Sequence, residues 1–194
     1  MKKLFQMLFV VLLCTMMFGN LSAQDMSDKM DDMSQSSLAK LVSGDLMGTS
    51  KKVMDLADAM PAEDFNWRPE EGVRSVSEVY VHIAASNYFI LSFLGAKMPD
   101  NLKPDSENED LEKTMTGKKE VMDFLHKSFA DAEKFLAGYS DTDFDTEVKL
   151  PFGKFTKGQL LMLAATHVHE HLGQAIAYAR TNHITPPWSR KSGN

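Results

Sequence analysis

The chain has 194 residues, of which 43% are hydrophobic and 25% are charged, a balance typical of one globular domain with enough apolar side chains for a core. Its formal net charge is −6 at pH 7, and loss of Lys2 and Lys3 with a leader would make it −8. This acidic balance argues against nucleic acid or an anionic membrane as a partner.

The first segment has the layout of a secretory signal peptide. Lys2 and Lys3 precede an apolar run over residues 4–18, which is followed by small and polar residues up to Ala23. The run is shorter than the roughly 20 residues that a membrane-spanning helix needs. We therefore predict a signal peptide over residues 1–23 and an exported protein, periplasmic or extracellular, with no stable membrane anchor after processing.

The single cysteine, Cys14, lies inside this predicted signal peptide. The mature chain would then contain no thiol, so it could neither form a disulfide nor carry out thiol catalysis by itself. Such a domain must be held by packing alone or by a bound metal ion.

An acidic, polar segment follows the predicted cleavage site. Residues 24–34 are predicted to form a linker that leads into a first helix near residues 33–60, which Pro61 ends. Three methionines recur there at helical spacing, and thioethers can bind copper(I). Because no histidine lies nearby, a linker or a packing stripe is favoured over a copper site. The three methionines are Met26, Met30 and Met33.

A second helix is predicted from a capping-box pattern. Ser75 is followed three residues later by Glu78, the arrangement that starts a helix, and the helix is expected to run to about Gly95. Its apolar residues recur at three- and four-residue steps, and His82 and Ser86 fall on the same stripe. His82 is therefore expected to face the core.

Residues 96–116 contain prolines and many charges and are predicted to be a long connection, after which a third helix covers residues 120–138. Asp123 and His126 on that helix superficially resemble part of a di-iron site. Such a site needs carboxylates from two helices and paired Glu-x-x-His motifs on the others, which the sequence lacks. A solvated helix face is the favoured interpretation.

The last part of the domain is predicted to contain an extended stretch with a turn over residues 148–153, followed by a fourth helix. Thr156 can cap this helix, which should continue to about Asn182. Four helices without a repeated strand pattern predict an all-α helical bundle over residues 35–188, with a polar tail over residues 189–194.

Three of the six histidines lie in the fourth predicted helix, within a span of five residues. Residues four apart differ by only about 40° around an α-helix, so His167 and His171 project side by side, whereas His169 points to nearly the opposite face. Two imidazoles at this spacing suit zinc, nickel, copper or iron(II), and His82 is the candidate third ligand. By spacing alone, core or surface histidines satisfied by ordinary hydrogen bonds remain the alternative.

Several motifs in order along the chain resemble the DinB-like (DinB/YfiT) family of metalloenzymes. The resemblance covers nearly all of the predicted mature chain, including the ending over residues 179–188. Its motifs are Trp67-Arg68-Pro69, Arg74-Ser75-Val76, His82 and His167-x-x-x-His171-x-Gly173-Gln174. It implies an antiparallel four-helix bundle with a three-histidine site for a divalent metal ion, and the matching positions are His82, His167 and His171. Zinc, nickel and iron are the candidate metals.

The sequence departs from the family next to the last ligand. Glu170 stands where many members have a second histidine, and Leu172 stands where they often have arginine. Gln174 lies one turn beyond His171 and is expected to support a ligand's second nitrogen. Glu78 is expected to be the cap partner of Ser75 rather than a catalytic base.

The other candidates near the site have simpler interpretations. Glu170 is expected to face solvent or a partner helix, and Trp67 is expected to pack in the core. Ser86 lies within a turn of His82, as a catalytic group would, but a serine at that place needs no catalytic role.

The family resemblance implies a metal-dependent enzyme that activates a small thiol, as in its thiol-dependent S-transferases and isomerases. Outside the cytoplasm such thiols are scarce or oxidised, so a hydrolase acting on a small-molecule substrate is equally compatible with the sequence. A non-catalytic bundle that binds a metal or a ligand is the alternative. A homodimer is possible, since dimers are the commonest soluble homo-oligomers.

Overall fold

A computed structural model of the protein describes residues 23–103, 108–139 and 144–190, with side chains from residue 39 onward. The chain divides into two compact units, Met1–Ser37 and Leu38–Asn194, and every side-chain contact of the histidine site lies within the second. The predicted signal peptide, except Ala23, and the predicted tail beyond residue 190 lie outside the described residues. Within the described residues, no helix is both long enough and apolar enough to cross a membrane.

The described residues are mostly helical, as predicted, and also contain one small antiparallel sheet that the all-α prediction omitted. Two short 3-10 turns, Ala62–Asn66 and Pro187–Ser189, follow the first and last helices. The helices and strands are α1 (Ala23–Ala59), α2 (Val76–Ser92), α3 (Glu109–Thr114), α4 (Lys118–Ala137), β1 (Glu147–Leu150), β2 (Gly153–Thr156) and α5 (Lys157–Thr181).

Helix α1 begins at Ala23, earlier than the expected start near residue 33. Residues 24–43 contain neither glycine nor proline, so the sequence has no strong signal to stop the helix there. From residue 39 its buried side chains recur at alternating steps of three and four residues, which makes one continuous stripe. The stripe consists of Ala39, Val42, Leu46, Thr49, Val53 and Leu56.

Helix α2 is the central helix of the fold. Its predicted capping box is confirmed: the Ser75 backbone N–H donates to Glu78 Oε2 at 2.7 Å, and the Glu78 N–H donates to Ser75 Oγ at 3.3 Å. Side chains are buried on nearly every face of α2, because it packs against α3, α4 and α5 at once. This position brings His82 to the interior.

The segment predicted as a connection, residues 96–116, contains helix α3. Six residues are too few to show a hydrophobic period, which is why the sequence pattern did not reveal it. Its first turn holds Glu109, Asp110 and Glu112, and acidic residues at that end interact favourably with the helix dipole. Helix α3 packs against α2 and buries Glu112, whose side chain is 8% exposed.

Strands β1 and β2 form a hairpin that leads directly into α5. Leu150 pairs with Gly153 around a two-residue turn, and Glu147 pairs with Thr156 at the open end. Thr156 is also the N-cap of α5: its N–H donates to Gln159 Oε1 at 2.8 Å, and its Oγ1 accepts from the Gln159 N–H at 3.2 Å. The predicted cap is therefore confirmed, and the hairpin is continuous with the helix that carries His167 and His171.

Candidate metal centre

Helices α2 and α5 bring the three predicted histidines together. The Nε2 atom of His167 lies 3.2 Å from Nε2 of His82 and 3.2 Å from Nε2 of His171. Each ring offers one nitrogen to a set that lies within 4.8 Å of one another. His167 and His171 meet because they are one turn apart on α5, whereas His82 arrives from the neighbouring helix.

The nitrogen spacing fits a shared metal ion. With ligand nitrogens about 2.0–2.1 Å from a tetrahedral zinc ion, adjacent nitrogens lie about 3.3 Å apart. The two measured separations of 3.2 Å match this value closely. All-imidazole ligation suits zinc, nickel, copper and iron(II) alike, so the ligand type does not distinguish among the metals considered from the sequence.

The ring of His82 is oriented by a buried carboxylate. His82 Nδ1 lies 2.8 Å from Glu112 Oε1, so the proton sits on Nδ1 and the Nε2 lone pair faces the other histidines. Arg74 holds the same carboxylate, with Nε 2.7 Å from Oε2. Burial raises the pKa of Glu112, but the hydrogen bonds from His82 and Arg74 outweigh it and lower that pKa overall.

The ring of His171 is oriented by the side chain that the sequence singled out. His171 Nδ1 lies 2.9 Å from Gln174 Oε1. The Gln174 amide donates to the Tyr178 hydroxyl at 3.0 Å, and that hydroxyl donates to the backbone carbonyl of Arg74 at 3.0 Å. The chain of donors fixes the amide oxygen toward His171, so this ring also presents an unprotonated Nε2.

His167 is held differently from the other two. Its Nδ1 atom is buried and has no hydrogen-bond partner among the described residues. Burial, and then the proximity of His171, His82 and Arg74, lowers its pKa from 6.5 to about 3. Burial also lowers the pKa of His171. Both rings are therefore neutral at neutral pH, the state that metal ligation requires.

The proton positions explain why ordinary hydrogen bonds do not satisfy this cluster. His82 and His171 each direct an Nε2 lone pair toward His167, whose single ring proton can serve one of them at most. At least one acceptor in the interior therefore lacks a donor. A cation among the three nitrogens would satisfy all of them, so the residues fit the divalent metal that the family resemblance implies.

One side of the cluster opens into a cavity of about 280 Å³. His82 and His167 form part of its wall. Its apolar lining comes mainly from α2, α5 and the hairpin turn, and consists of Ala85, Phe89, Ile90, Phe152 and Leu163. Catalytic metal sites keep an open position beside the protein ligands, and this cavity supplies the space for a fourth ligand.

Three other sequence candidates lie away from the three converging nitrogens, whereas Ser86 lines the cavity beside them. His169 projects to another face of α5, where its Nε2 lies 2.8 Å from Asp45 Oδ2 and 3.0 Å from Thr49 Oγ1. Glu170 is exposed, as expected. Glu78 caps α2 and also binds Arg68, with Nη2 2.8 Å from Oε1.

Two further expectations about packing are confirmed. Trp67 packs edge-on against Tyr178, with ring centroids 5.3 Å apart, and belongs to the core rather than to the cavity wall. Asp123 pairs with Lys119 on the exposed face of α4, and His126 is exposed there as well. These contacts agree with a solvated helix face.

Glu112, Arg74 and Tyr178 are the supporting residues that the sequence did not identify. Arg74 belongs to one of the motifs that carry the family resemblance, and that motif could have indicated a role for Arg74 at the site. Glu112 had no comparable signal, because it lies 30 residues from His82 in a segment interpreted as a connection.

Comparison with known proteins agrees with the resemblance found in the sequence. A sequence model of the DinB superfamily matches residues 47–175, a range that includes all three histidines. No curated protein is significantly similar to the chain in sequence.

Solved structures with a similar fold include two bacterial proteins. One is a DinB-like protein from Bacillus cereus, with 22% identity and a TM-score of 0.58, in which 72% of this chain covers 89% of that chain. Another is a conserved protein from Enterococcus faecalis, with 19% identity and a TM-score of 0.60, where the shares are 73% and 94%.

A third similar structure is a mutant of a mycothiol-dependent maleylpyruvate isomerase. It has 16% identity and a TM-score of 0.53, and 73% of this chain covers 59% of that one. At these identities the three similarities establish a shared fold.

Proposed function

The chain belongs to the DinB superfamily, and on that premise we propose that it is an enzyme in which His82, His167 and His171 hold one divalent metal ion. The observation that carries this proposal is the convergence of three Nε2 atoms, with two separations of 3.2 Å and two rings fixed through Nδ1. The metal is zinc, nickel or iron.

We further propose that α1, α2, α4 and α5 form an antiparallel four-helix bundle, in which the ion links α2 to α5. The buried stripe of α1 contributes to the same hydrophobic cluster as the buried side chains of the other three helices.

The ion would act as a Lewis acid, polarising a bound thiol or oxygen group of a small molecule. The protein's own residues set the conditions for this role. Glu112 and Gln174 fix two rings, Arg74 keeps the carboxylate in place, and apolar side chains line the cavity beside the rings.

Transfer of a small thiol to an electrophilic carbon is the reaction that the cavity suits best. Among the described residues that line the cavity, Glu112 alone carries a carboxylate. Both of its oxygens already accept hydrogen bonds. A thiol, whose pKa of about 8.5 is far below that of free water, ionises more readily than water beside the same cation, so it needs less help from a neighbouring base. The transfer forms one S–C bond, breaks the bond to the leaving group and releases the thiol proton to solvent.

The test is a thiol-consumption assay with an activated aryl halide, performed on the metal-loaded protein. We expect turnover that chelation abolishes and that His171→Ala loses while the far-ultraviolet circular dichroism is kept. Retained turnover in His171→Ala would refute the proposed site. Thiol-independent hydrolysis of activated esters, lost in the same variant, would favour the hydrolase, and metal binding without turnover would favour a non-catalytic binding protein.

Export is proposed on the composition of residues 1–23 alone. The mature protein would then begin at Gln24. Mass spectrometry of the protein recovered from the periplasm or medium would show the mass of residues 24–194. Full-length protein confined to the cytoplasm would contradict export without affecting the proposed metal site.

A further inference from the structure

The cavity beside the histidines has an uneven distribution of polarity. Its far wall is formed by Phe89 and Ile90, two turns after His82 on α2, and by Phe152 in the hairpin turn, while its metal-facing wall carries His82 and His167. No lysine or arginine lines it among the described residues. A charged group placed at the far wall would therefore lose hydration without gaining a counter-charge.

The other polar groups of the lining are already engaged, with one exception. Glu112 accepts from His82 and Arg74, and the Asn108 side-chain oxygen accepts from the Lys103 N–H at 3.2 Å. Ser86, one turn after His82 on α2, forms no hydrogen bond with another described residue. Its hydroxyl is therefore a polar group of the lining that can hydrogen-bond to a bound molecule.

Phe152 is placed to define the far wall of the cavity. It lies in the turn of the hairpin, its ring is 6.2 Å from the ring of Phe89 and 5.6 Å from that of Phe155, and the residue is 56% exposed. An aromatic ring so exposed beside a cavity can bury more of its surface when an apolar ligand enters. At about 30 Å³ per water molecule, the cavity volume of about 280 Å³ holds a ligand of roughly ten non-hydrogen atoms.

We propose that this cavity selects a small substrate with one metal-binding polar group on an uncharged, aromatic-sized body, and that Phe152 determines this specificity. The polar group lies toward His82 and His167, Ser86 hydrogen-bonds beside it, and the body packs between Phe89 and Phe152. A dicarboxylate of the same length is disfavoured, since its second charge would face the apolar wall. The inference rests on the proposed metal site.

The test compares phenylacetate with succinate, which share a carboxylate head but differ in the body. Binding to the mature protein loaded with cobalt(II) is followed by the visible absorption of the ion. We expect phenylacetate to bind at least tenfold more tightly than succinate. Phe152→Ala should weaken phenylacetate binding about two- to tenfold, the range given by loss of an aromatic contact, with cobalt content unchanged.

Trp188→Ala is the matched control, because Trp188 is also an exposed aromatic residue but does not line the cavity. It should leave both affinities unchanged. Equal affinity for the two acids, or unchanged phenylacetate affinity in Phe152→Ala, would overturn the inference while leaving the metal site intact. Failure of the wild-type protein to bind cobalt would refute the proposed function, and the inference with it.

Discussion

At the scale of single residues, the three histidines differ in what holds their rings. His82 is bound by a carboxylate, His171 by an amide oxygen, and His167 by no side chain among the described residues. The Glu112 contact is the strongest of these, because a carboxylate both orients an imidazole and raises its basicity. Glu112 is thus expected to contribute to metal affinity although it does not touch the ion.

Replacing Glu112 with glutamine tests this role. The amide can still accept a hydrogen bond from His82 Nδ1, but the negative charge and the ion pair with Arg74 are lost. We expect metal affinity to fall roughly ten- to a hundredfold, as measured by competition with a chromophoric chelator. Glu109→Gln on the exposed side of the same helix should have no effect, and equal affinity in both variants would contradict the role of Glu112.

Protonation of His167 should make the metal-free protein sensitive to acid. Its pKa is lowered from 6.5 to about 3 in the folded state, so below pH 6.5 the unfolded chain takes up a proton that the folded chain does not. The free energy of unfolding should therefore decrease as the pH falls from 6.5 toward 3, by up to about 1.4 kcal/mol per pH unit from this group. More than about one pH unit above 6.5 the group contributes no pH dependence.

Urea unfolding of chelator-treated protein at several pH values measures this slope. His167→Gln should reduce the slope, because the variant has no ring to protonate at that position. His126→Gln, at an exposed position on α4, should retain it. A slope that is the same in His167→Gln and in the wild type would show that burial of this ring is not its cause.

At the scale of helices and strands, the elements that carry the histidines have strong local signals. The capping box at Ser75 and the helix cap at Thr156 were predicted from sequence, and they start the two helices on which the site is built. The four-residue spacing of His167 and His171 fixed their common face in the same way. Local chemistry was sufficient in each case, because caps and helical period depend on residues within one or two turns.

The features that the sequence did not reveal depend on contacts between distant residues. Glu112 reaches His82 only because α3 packs on α2. A helix of six residues is too short to be predicted from a hydrophobic period in the sequence. Phe152 lines the cavity because the hairpin turns toward α2. The contact between His82 and His167 is also a contact between distant residues. It was expected from the family resemblance, because no local pattern relates residues 85 positions apart.

The cap of α5 offers a prediction at this scale. Thr156→Ala removes the side-chain oxygen that accepts from the Gln159 N–H, which should lower the free energy of unfolding by about 1 kcal/mol. Metal stoichiometry should be unchanged, because the histidines lie more than two turns away. Thr181→Ala, in the exposed last turn of the same helix, is the control in urea unfolding. An equal loss of stability in the two variants would show that the cap has no special contribution.

At the scale of the whole molecule, the proposed ion would join two helices that otherwise meet through side-chain packing. A ligand that binds only the folded protein raises its stability by mass action. The mature chain is predicted to lack any disulfide, so the ion would supply a link between helices that the chain cannot form through cysteine. The acidic net charge, −6 for the full chain, is also compatible with attraction of a divalent cation.

The most direct measurement is the metal content of untagged mature protein by mass spectrometry, compared with a His82→Ala, His167→Ala, His171→Ala triple variant. One bound ion per chain is expected in the wild type and none in the variant, with helical circular dichroism retained in both. No metal in the wild type after exposure to zinc, nickel and iron, or equal metal in the triple variant, would contradict the three-histidine site.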